Sequence, residues 1–264
     1  MIDNKTVQQL KEYDPKRMKY PCYGQVKMDG IFGRWSPDKK KFYTRSGNMI
    51  QGLSVLESEM AEYKYPYDGE LVIPGMDFFK MNGLIRSFKE TPDCKFYIFD
   101  APHDIEVFER RLDWYQGMNI LHKTKIVLMK AHLMQNDYDA DTFYDKVLTA
   151  GHEGVVYKQP TAQYQHGKHW TYLKRVPIKT CECTILSAYE GQGKLKGKLG
   201  GFVVDFNGLP VKVGGGPGVD YALRTLFWKE RENLIGQPMK CQYKKVTEKG
   251  SMRSPQMLGV RWDI

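Results

Sequence analysis

The sequence predicts an α+β domain built on antiparallel sheets, followed by a small all-β barrel domain. Three observations carry this. Strand-like and helix-like stretches are interspersed through the first two-thirds of the chain, without the strict alternation that builds a doubly wound parallel sheet. The composition changes near Pro177, after which short strands and Gly-rich turns dominate. The 264 residues, 41 % hydrophobic and 27 % charged, are ordinary for a globular protein and ample for two modest cores. The expected domains are therefore 1–176 and 177–264.

In chain order, residues 1–20 read as a polar leader with a short helix, Val7 to Tyr13, stopped by Asp14-Pro15. Tyr23 to Tyr43 is strand-like, broken by a turn at 36–39, and Phe42, Thr44 and Ser46 alternate against Tyr43 and Arg45. Leu53, Leu56 and Met60 have helical spacing. Tyr67–Ile73 and Cys94–Phe99 read as strands. Val107–Ile120 reads as a helix with Arg110, Arg111 and Asp113 on its polar side, Lys125–Leu133 as a strand, Asp141–Ala150 as a helix and Gly154–Lys158 as a strand. Beyond Thr184, five short strands (184–189, 201–206, 211–213, 239–245, 257–262) and one helix (221–232) suit a Greek-key barrel such as the OB-fold.

The formal charge is +9, which suits a polyanionic partner. From Lys179 onward 14 lysines and arginines face 8 acids, so the excess concentrates in the expected barrel. No apolar run approaches the ~18–20 residues that cross a bilayer, and the start lacks the basic and apolar regions of a secretory signal, which favours the cytoplasm. The cysteines are Cys22, Cys94, Cys181, Cys183 and Cys241. An odd number without a Cys-x-x-Cys pair supports neither a disulfide framework nor a zinc site, and Cys181 and Cys183 read as small buried hydrophobes. His166 and His169 lack acidic or thiol company and read as loop residues.

Lys27 ends an apolar-alternating run in Gln25-Val-Lys-Met-Asp-Gly-Ile-Phe-Gly-Arg-Trp35. Five segments follow it in order: Thr44-Arg-Ser-Gly47, Tyr67-Asp-Gly-Glu-Leu71, Phe96-Tyr-Ile-Phe-Asp100, Glu153-Gly-Val-Val-Tyr-Lys158 and Tyr172-Leu-Lys-Arg175. Each is short, and the ordered set is specific. It resembles the covalent nucleotidyltransferases, and the chain's end narrows the resemblance to ATP-dependent DNA ligases of the smallest, two-domain kind. Gly250-Ser-Met-Arg-Ser-Pro-Gln-Met-Leu-Gly-Val-Arg-Trp-Asp263 is similar to the last strand of small bacterial and phage ligases. Arg253-Ser-Pro255 and Arg261-Trp-Asp263 match that pattern, while Ile264 stands in place of a final lysine. The resemblance spans Lys27 to Asp263 and leaves no room for an added N-terminal DNA-binding domain.

The resemblance implies an ATP-grasp-like nucleotidyltransferase domain, an OB-fold domain, and these roles. Lys27 is the nucleophile that becomes lysyl-AMP. Its amine must be unprotonated to attack. Lys158 and Lys174 hold the α-phosphate, stabilising charge as the phosphoryl bond breaks. Gln25 and Val26 meet adenine through the main chain, and Phe99 stacks on it. Glu70 holds ribose hydroxyls, Arg45 the ribose or the 5′-phosphate of a nick, and Arg261 the pyrophosphate. Glu153 binds Mg²⁺. Gly30, without a side chain, lets the nucleotide lie close to the backbone.

Phe32 stands where the family has an arginine, with Arg34 two residues on and on the same side of a strand. Val176 replaces a second motif lysine. Lys194, Lys196, Lys198 and Arg253 of the barrel are expected to meet DNA phosphates, together with Arg45. The implied cofactors are ATP and Mg²⁺, and the implied partner is nicked double-stranded DNA, gripped by a monomer away from any membrane. The alternatives are an RNA ligase or an mRNA-capping guanylyltransferase of the same superfamily. A catalytically dead nucleic-acid-binding relic is the third, and the joint presence of Lys27, Glu70, Glu153 and Lys174 argues against it.

Overall fold

The computed structural model describes residues 7–260, apart from 88, 104 and 217. They form two compact units that divide between Val176 and Pro177. In the first, the order is β1 (Gln8–Glu12), β2 (Cys22–Lys27), β3 (Ile31–Ser36), β4 (Lys41–Tyr43), β5 (Met49–Ile50), α1 (Ser54–Met60), β6 (Tyr67–Val72), α2 (Phe78–Ile85) and β7 (Lys95–Asp100). There follow α3 (Phe108–Gln116), β8 (Ile126–Leu128), β9 (His132–Met134), α4 (Asp137–Thr149), β10 (Gly154–Lys158) and β11 (Gly167–Arg175).

Two sheets result. One has the order β1-β11-β10-β2-β9 and the other β5-β4-β3-β6-β7-β8. Most neighbours are antiparallel, as expected, but β1–β11 and β7–β8 are parallel. Strand alternation sorts the side chains of the first sheet. Val155, Tyr157, Cys22 and Leu173 face α4 and its Ala140 and Val147. The intervening Val156 and Lys158 therefore face the other way, and the register places Val156 opposite both Gln25 and Lys174, and Gly154 opposite Lys27. In the second sheet, Trp35, Phe42, Leu71, Phe96 and Ile98 enter the main core with Leu56, Met60 and Met81. Phe32 and Arg34 oppose Glu70 and Asp68 on the other face.

Three expectations change here. The segment at 7–13 is the edge strand β1, not a helix. Its Val7–Leu10 spacing fits a helix, but β11 offers an open edge, Leu10 packs on the main core, and Gln8 exchanges bonds with Gln165 N (2.6 Å) and Tyr164 (2.9 Å). The stretch 125–133 is two strands in different sheets, because the chain crosses between them at Met129, whose N–H bonds Ile98 O at 2.8 Å. Helix α4 starts four residues early, where Asn136 accepts from Asp139 N at 3.0 Å as its N-cap and Asp137 opens the first turn.

The second unit holds β12 (Lys179–Glu190), β13 (Leu199–Phe206), β14 (Leu209–Gly215), α5 (Tyr221–Lys229), α6 (Arg231–Leu234), β15 (Pro238–Tyr243) and β16 (Gln256–Val260). They close a five-stranded barrel, β12-β13-β14-β16-β15. The last closure is a short parallel contact, Gly214–Gly215 beside Gln256–Met257. Ile185, Phe202, Val204, Val213, Met239 and Cys241 point inward, plugged by Phe227 of α5. The one helix expected at 221–232 is thus two. All five cysteines are free, and burial pushes the Cys241 thiol up to about 11, which keeps it inert. Among the described residues no helix is long and apolar enough to cross a membrane.

Candidate active site

Lys27 ends β2, and the β2–β10 register brings it opposite Gly154, so Glu153 lies beside it. Lys27 Nζ donates to Glu153 Oε2 at 2.6 Å, and both side chains keep about a fifth of their surface in solvent (22 % and 17 %). Two glycines permit this corner. Gly154 has φ +155°, and a Cβ there would sit 2.2 Å from Arg175 O. A Cβ on Gly30 would lie 2.6 Å from both Glu70 Cγ and Leu71 O. The close approach that requires glycine at 30 is thus made by the protein's own β6. Through this contact the Gly30 N–H reaches Glu70.

Glu70 shares the corner with Lys27, Arg45 and Glu153. Burial, with Glu153 acting in the same direction, pushes its carboxyl up to about 7, although Lys27, Arg45 and the Gly30 N–H oppose this. Lys174, on the same sheet face as Lys27, pairs with Glu12 of the edge strand at 2.9 Å. The sequence singled out no role for Glu12, because nothing before folding joins residues 12 and 174. Val176 is buried at 8 % exposure and brings no cation.

Lys158 departs from its expected role. It is 2 % exposed, its Nζ donates to Phe99 O at 2.7 Å, and the rings of Phe99, Phe108 and Tyr172 surround it at 4.5–5.0 Å. Its donor supports the backbone of Phe99 from within, which is not the posture of a direct phosphate ligand. Burial pushes its ammonium down to about 8, Arg111 acts in the same direction, and Asp100 and Asp68 oppose.

Around Lys158 lie two Arg–Asp–Tyr triads that the sequence reading did not find. Arg111 donates to Asp100 Oδ1 at 2.8 Å and to Tyr172 at 2.6 Å, while Tyr172 donates to Asp100 Oδ2 at 2.7 Å. Arg34 holds Asp68 through two bonds of 2.6 and 2.8 Å and donates to Tyr164 at 2.6 Å, while Tyr164 donates to Asp68 at 2.6 Å. Burial alone would raise the Asp100 carboxyl, but Lys158, Arg111 and Tyr172 outweigh it and hold it below its ordinary range. Two expectations fall here. Arg34, buried at 7 %, spends its fork on Asp68 and Tyr164 and does not take over a ligand contact from position 32. Arg111 is fully buried, not on a polar helix face; a signal existed, since it completes an i, i+3, i+4, i+7 stripe with Phe108, Leu112 and Tyr115.

Arg45 is exposed, with its guanidinium 5.0 Å from the centre of the Phe32 ring. Phe32 lies 6.3 Å from half-buried Phe99. Gln25 Nε2 donates to Tyr115 at 2.7 Å, and its Oε1 is buried without a partner. Strand β9 covers β2 only as far as Gly24, so on that edge Gln25 and Val26 have no ladder partner among the described residues. In the barrel, Lys194 and Lys196 are exposed and Lys198 half-buried on a turn closed by Gly191 N to Lys198 O (2.9 Å) and Gly197 N to Glu190 Oε1 (2.7 Å). Arg253 lies in the connection from β15 to β16, its backbone bonded to Lys244 and Lys245. Arg261 and the residues after it lie outside the described residues.

Two family models match the chain: the ATP dependent DNA ligase domain over residues 5–175, and the DNA ligase OB-like domain over residues 190–261. The chain is 25 % identical to a DNA ligase of Haemophilus influenzae, over 86 % of this chain and 82 % of that protein. A probable DNA ligase of Mycolicibacterium vanbaalenii is 43 % identical over 61 residues, which are 23 % of this chain and 11 % of that protein. Among solved structures, a Lig E DNA ligase superposes with a TM-score of 0.81 at 23 % identity, over 97 % of this chain and 98 % of that one. The bacteriophage T7 ATP-dependent DNA ligase, solved with ATP, has a TM-score of 0.58 at 18 % identity, over 98 % and 99 %. At these identities the structural likenesses show the fold.

Proposed function

The chain belongs to the ATP-dependent DNA ligases, and on that premise we propose that Lys27 is its adenylated nucleophile and a nicked duplex its substrate. The observation that carries the reading is the corner itself: a lysine amine at a strand end, 2.6 Å from Glu153, with Glu70 and Arg45 close enough to act on one another electrostatically. Three phosphoryl transfers follow. The neutral Lys27 amine attacks the α-phosphorus of ATP; the N–P bond forms, the bond to the β-phosphate breaks, and pyrophosphate leaves. A 5′-phosphate oxygen at the nick then displaces Lys27, which regains its proton. Finally the 3′-hydroxyl attacks that phosphate and AMP departs.

Each other residue has a place in this reading. The unladdered edge at Gln25 and Val26 supports main-chain recognition of adenine, and Phe99, held from behind by Lys158, supplies the stacking ring. Lys174 meets the α-phosphate after leaving Glu12. Glu70 in its ionised form accepts from ribose hydroxyls. Glu153 and Glu70 offer hard oxygen donors of the kind Mg²⁺ prefers, and no group of three such ligands converges among the described residues, so nucleotide phosphates and water would complete the shell. Mg²⁺ held there would supply Lewis-acid polarisation of the phosphate. Lys194, Lys196, Lys198 and Arg253 fit phosphates of the duplex, which a single chain would grip.

The test is sealing of a singly nicked duplex with ATP and Mg²⁺, comparing all-DNA strands with strands carrying RNA at the 3′-hydroxyl. Sealing of the DNA nick, lost in Lys27→Ala with duplex binding kept, is expected. Joining of the RNA version alone would overturn the substrate, and full activity of Lys27→Ala would overturn the nucleophile.

A further inference from the structure

The exposed Arg45 rests on the Phe32 ring, whereas the buried Arg34 and Arg111 lie near rings too but bond carboxylates. The Arg45 guanidinium lies 5.0 Å from the Phe32 ring centre, Phe32 is 7 % exposed, and Arg45 makes no hydrogen bond or ion pair among the described residues. Arg34, two residues beyond Phe32 on the same sheet face, lies 5.7 Å from the Tyr164 ring centre but has its donors occupied. Three of its bonds go to Asp68 and Tyr164, and a carboxylate offsets its charge.

A carboxylate fixes a guanidinium by occupying its N–H donors. An aromatic face fixes it through the ring quadrupole and leaves the donors and the charge untouched. All five N–H groups of Arg45 then remain for oxygens of a phosphate, which a guanidinium takes in bidentate fashion. The ring that carries Arg45 is itself anchored. It is buried on β3, opposite Glu70 in register, with Phe99 6.3 Å away.

We propose that Phe32 is a positioning residue: an aromatic platform that orients Arg45 toward a substrate phosphate with its donors unspent. This rests on the reading above, in which Arg45 meets a phosphate. That phosphate is either the nucleotide's or the one at the nick. The chemistry of the contact is the same for both, and the experiment separates them.

Two binding constants are measured without turnover, in EDTA: the affinity for ATP, and the affinity for a nicked duplex with a 5′-phosphate relative to one with a 5′-hydroxyl. The variants are Phe32→Leu, which keeps apolar bulk and removes the π face, Phe32→Tyr, which keeps the face, Arg45→Ala, and the double variant Phe32→Leu/Arg45→Ala. Phe32→Leu is expected to weaken one arm by roughly two- to fivefold, and the arm that responds names the phosphate. Phe32→Tyr should stay at the wild-type value. In the Arg45→Ala background, Phe32→Leu should have no further effect. Wild-type values for Phe32→Leu in both arms would overturn the proposal, as would a loss that persists undiminished without Arg45. If Phe32→Leu does not fold, the Tyr variant decides: a Tyr variant as weak as Arg45→Ala rules out the platform. Lysyl-AMP formation is read separately, so a failure of Lys27 as nucleophile is distinct from a failure of Phe32.

Discussion

The interior of the first unit and the corner around Lys27 use the same side chains to opposite ends. Arg34, Arg111 and Lys158 lie inside, locked by Asp68, Asp100 and two tyrosine hydroxyls. Lys27, Arg45 and Lys174 lie at the corner with partners of another kind: a half-buried glutamate, a buried aromatic ring, and an exposed glutamate. The interior cations join strands and a helix far apart in the chain, and breaking such a buried pair costs about 3–5 kcal/mol. The two corner ion pairs involve partly exposed side chains and are worth about 0–1 kcal/mol, so a substrate can displace them, while Arg45 on its ring has donors to spare. A cation is available for chemistry here to the extent that its partner is cheap to leave.

The sharpest way to break this comparison is Lys27→Ala. Lysyl-AMP, followed as the added mass of AMP, should vanish, while denaturant stability moves by no more than ~1 kcal/mol. A large loss of stability would make Lys27 an interior-type cation. Asp100→Ala should do the reverse. It leaves Arg111 and Lys158 without their carboxylate and should cost about 3–5 kcal/mol in urea unfolding, whereas Asp100→Leu with Arg111→Met and Lys158→Met, which removes the carboxylate and both cations, should cost less. Equal losses in the two variants would contradict the account.

Lys174→Ala should slow lysyl-AMP formation about a hundredfold, and Lys158→Met by no more than a few-fold, since the latter touches Phe99 and not phosphate; single-turnover rates decide. Next comes Glu70. Its carboxyl, raised to about 7, is mostly protonated below that pH and accepts fully only above it. ATP affinity should therefore rise by up to about tenfold as pH increases through 7, and Glu70→Gln should flatten the profile. Stability carries the opposite sign: between the ordinary carboxyl range and about pH 7 the folded chain keeps a proton that the unfolded chain has released, so folding weakens as pH rises across that window. The smallest effect belongs to Glu12→Gln, which loses an exposed partner of Lys174 and should shift stability by less than ~1 kcal/mol.

Much of this was legible before folding. The separate motifs of the corner are readable because each is local: Lys27 and Gly30 span one turn, and Glu153 and Gly154 are adjacent; that they meet across 126 residues is not. The barrel is readable from short strands and glycine turns after Pro177. Arg111 was legible too, had its place in the apolar stripe outweighed its charge. Other features were not. The segment at 7–13 has helical spacing and is a strand only because β11 leaves an edge open. The stretch 125–133 reads as one strand, and nothing local says that it leaves one sheet for another at Met129. The direction of Lys158 depends on which rings and carbonyl surround it.

The sequence by itself determined the two kinds of unit and the order of the motifs, and its family resemblance singled out Lys27, Glu70 and Glu153 as candidates. The units follow from strand alternation and turn residues, whereas the meeting of Lys27 and Glu153, 126 residues apart, needs the register of β2 on β10. Only the tertiary structure decided which cations are committed and which are available. Asp100 meets Tyr172, Asp68 meets Tyr164, and Arg45 meets Phe32 through strand registers and burial that involve distant segments. Desolvation, which exists only once the core has closed, then makes the same ion pair costly to break inside and easy to displace at the corner.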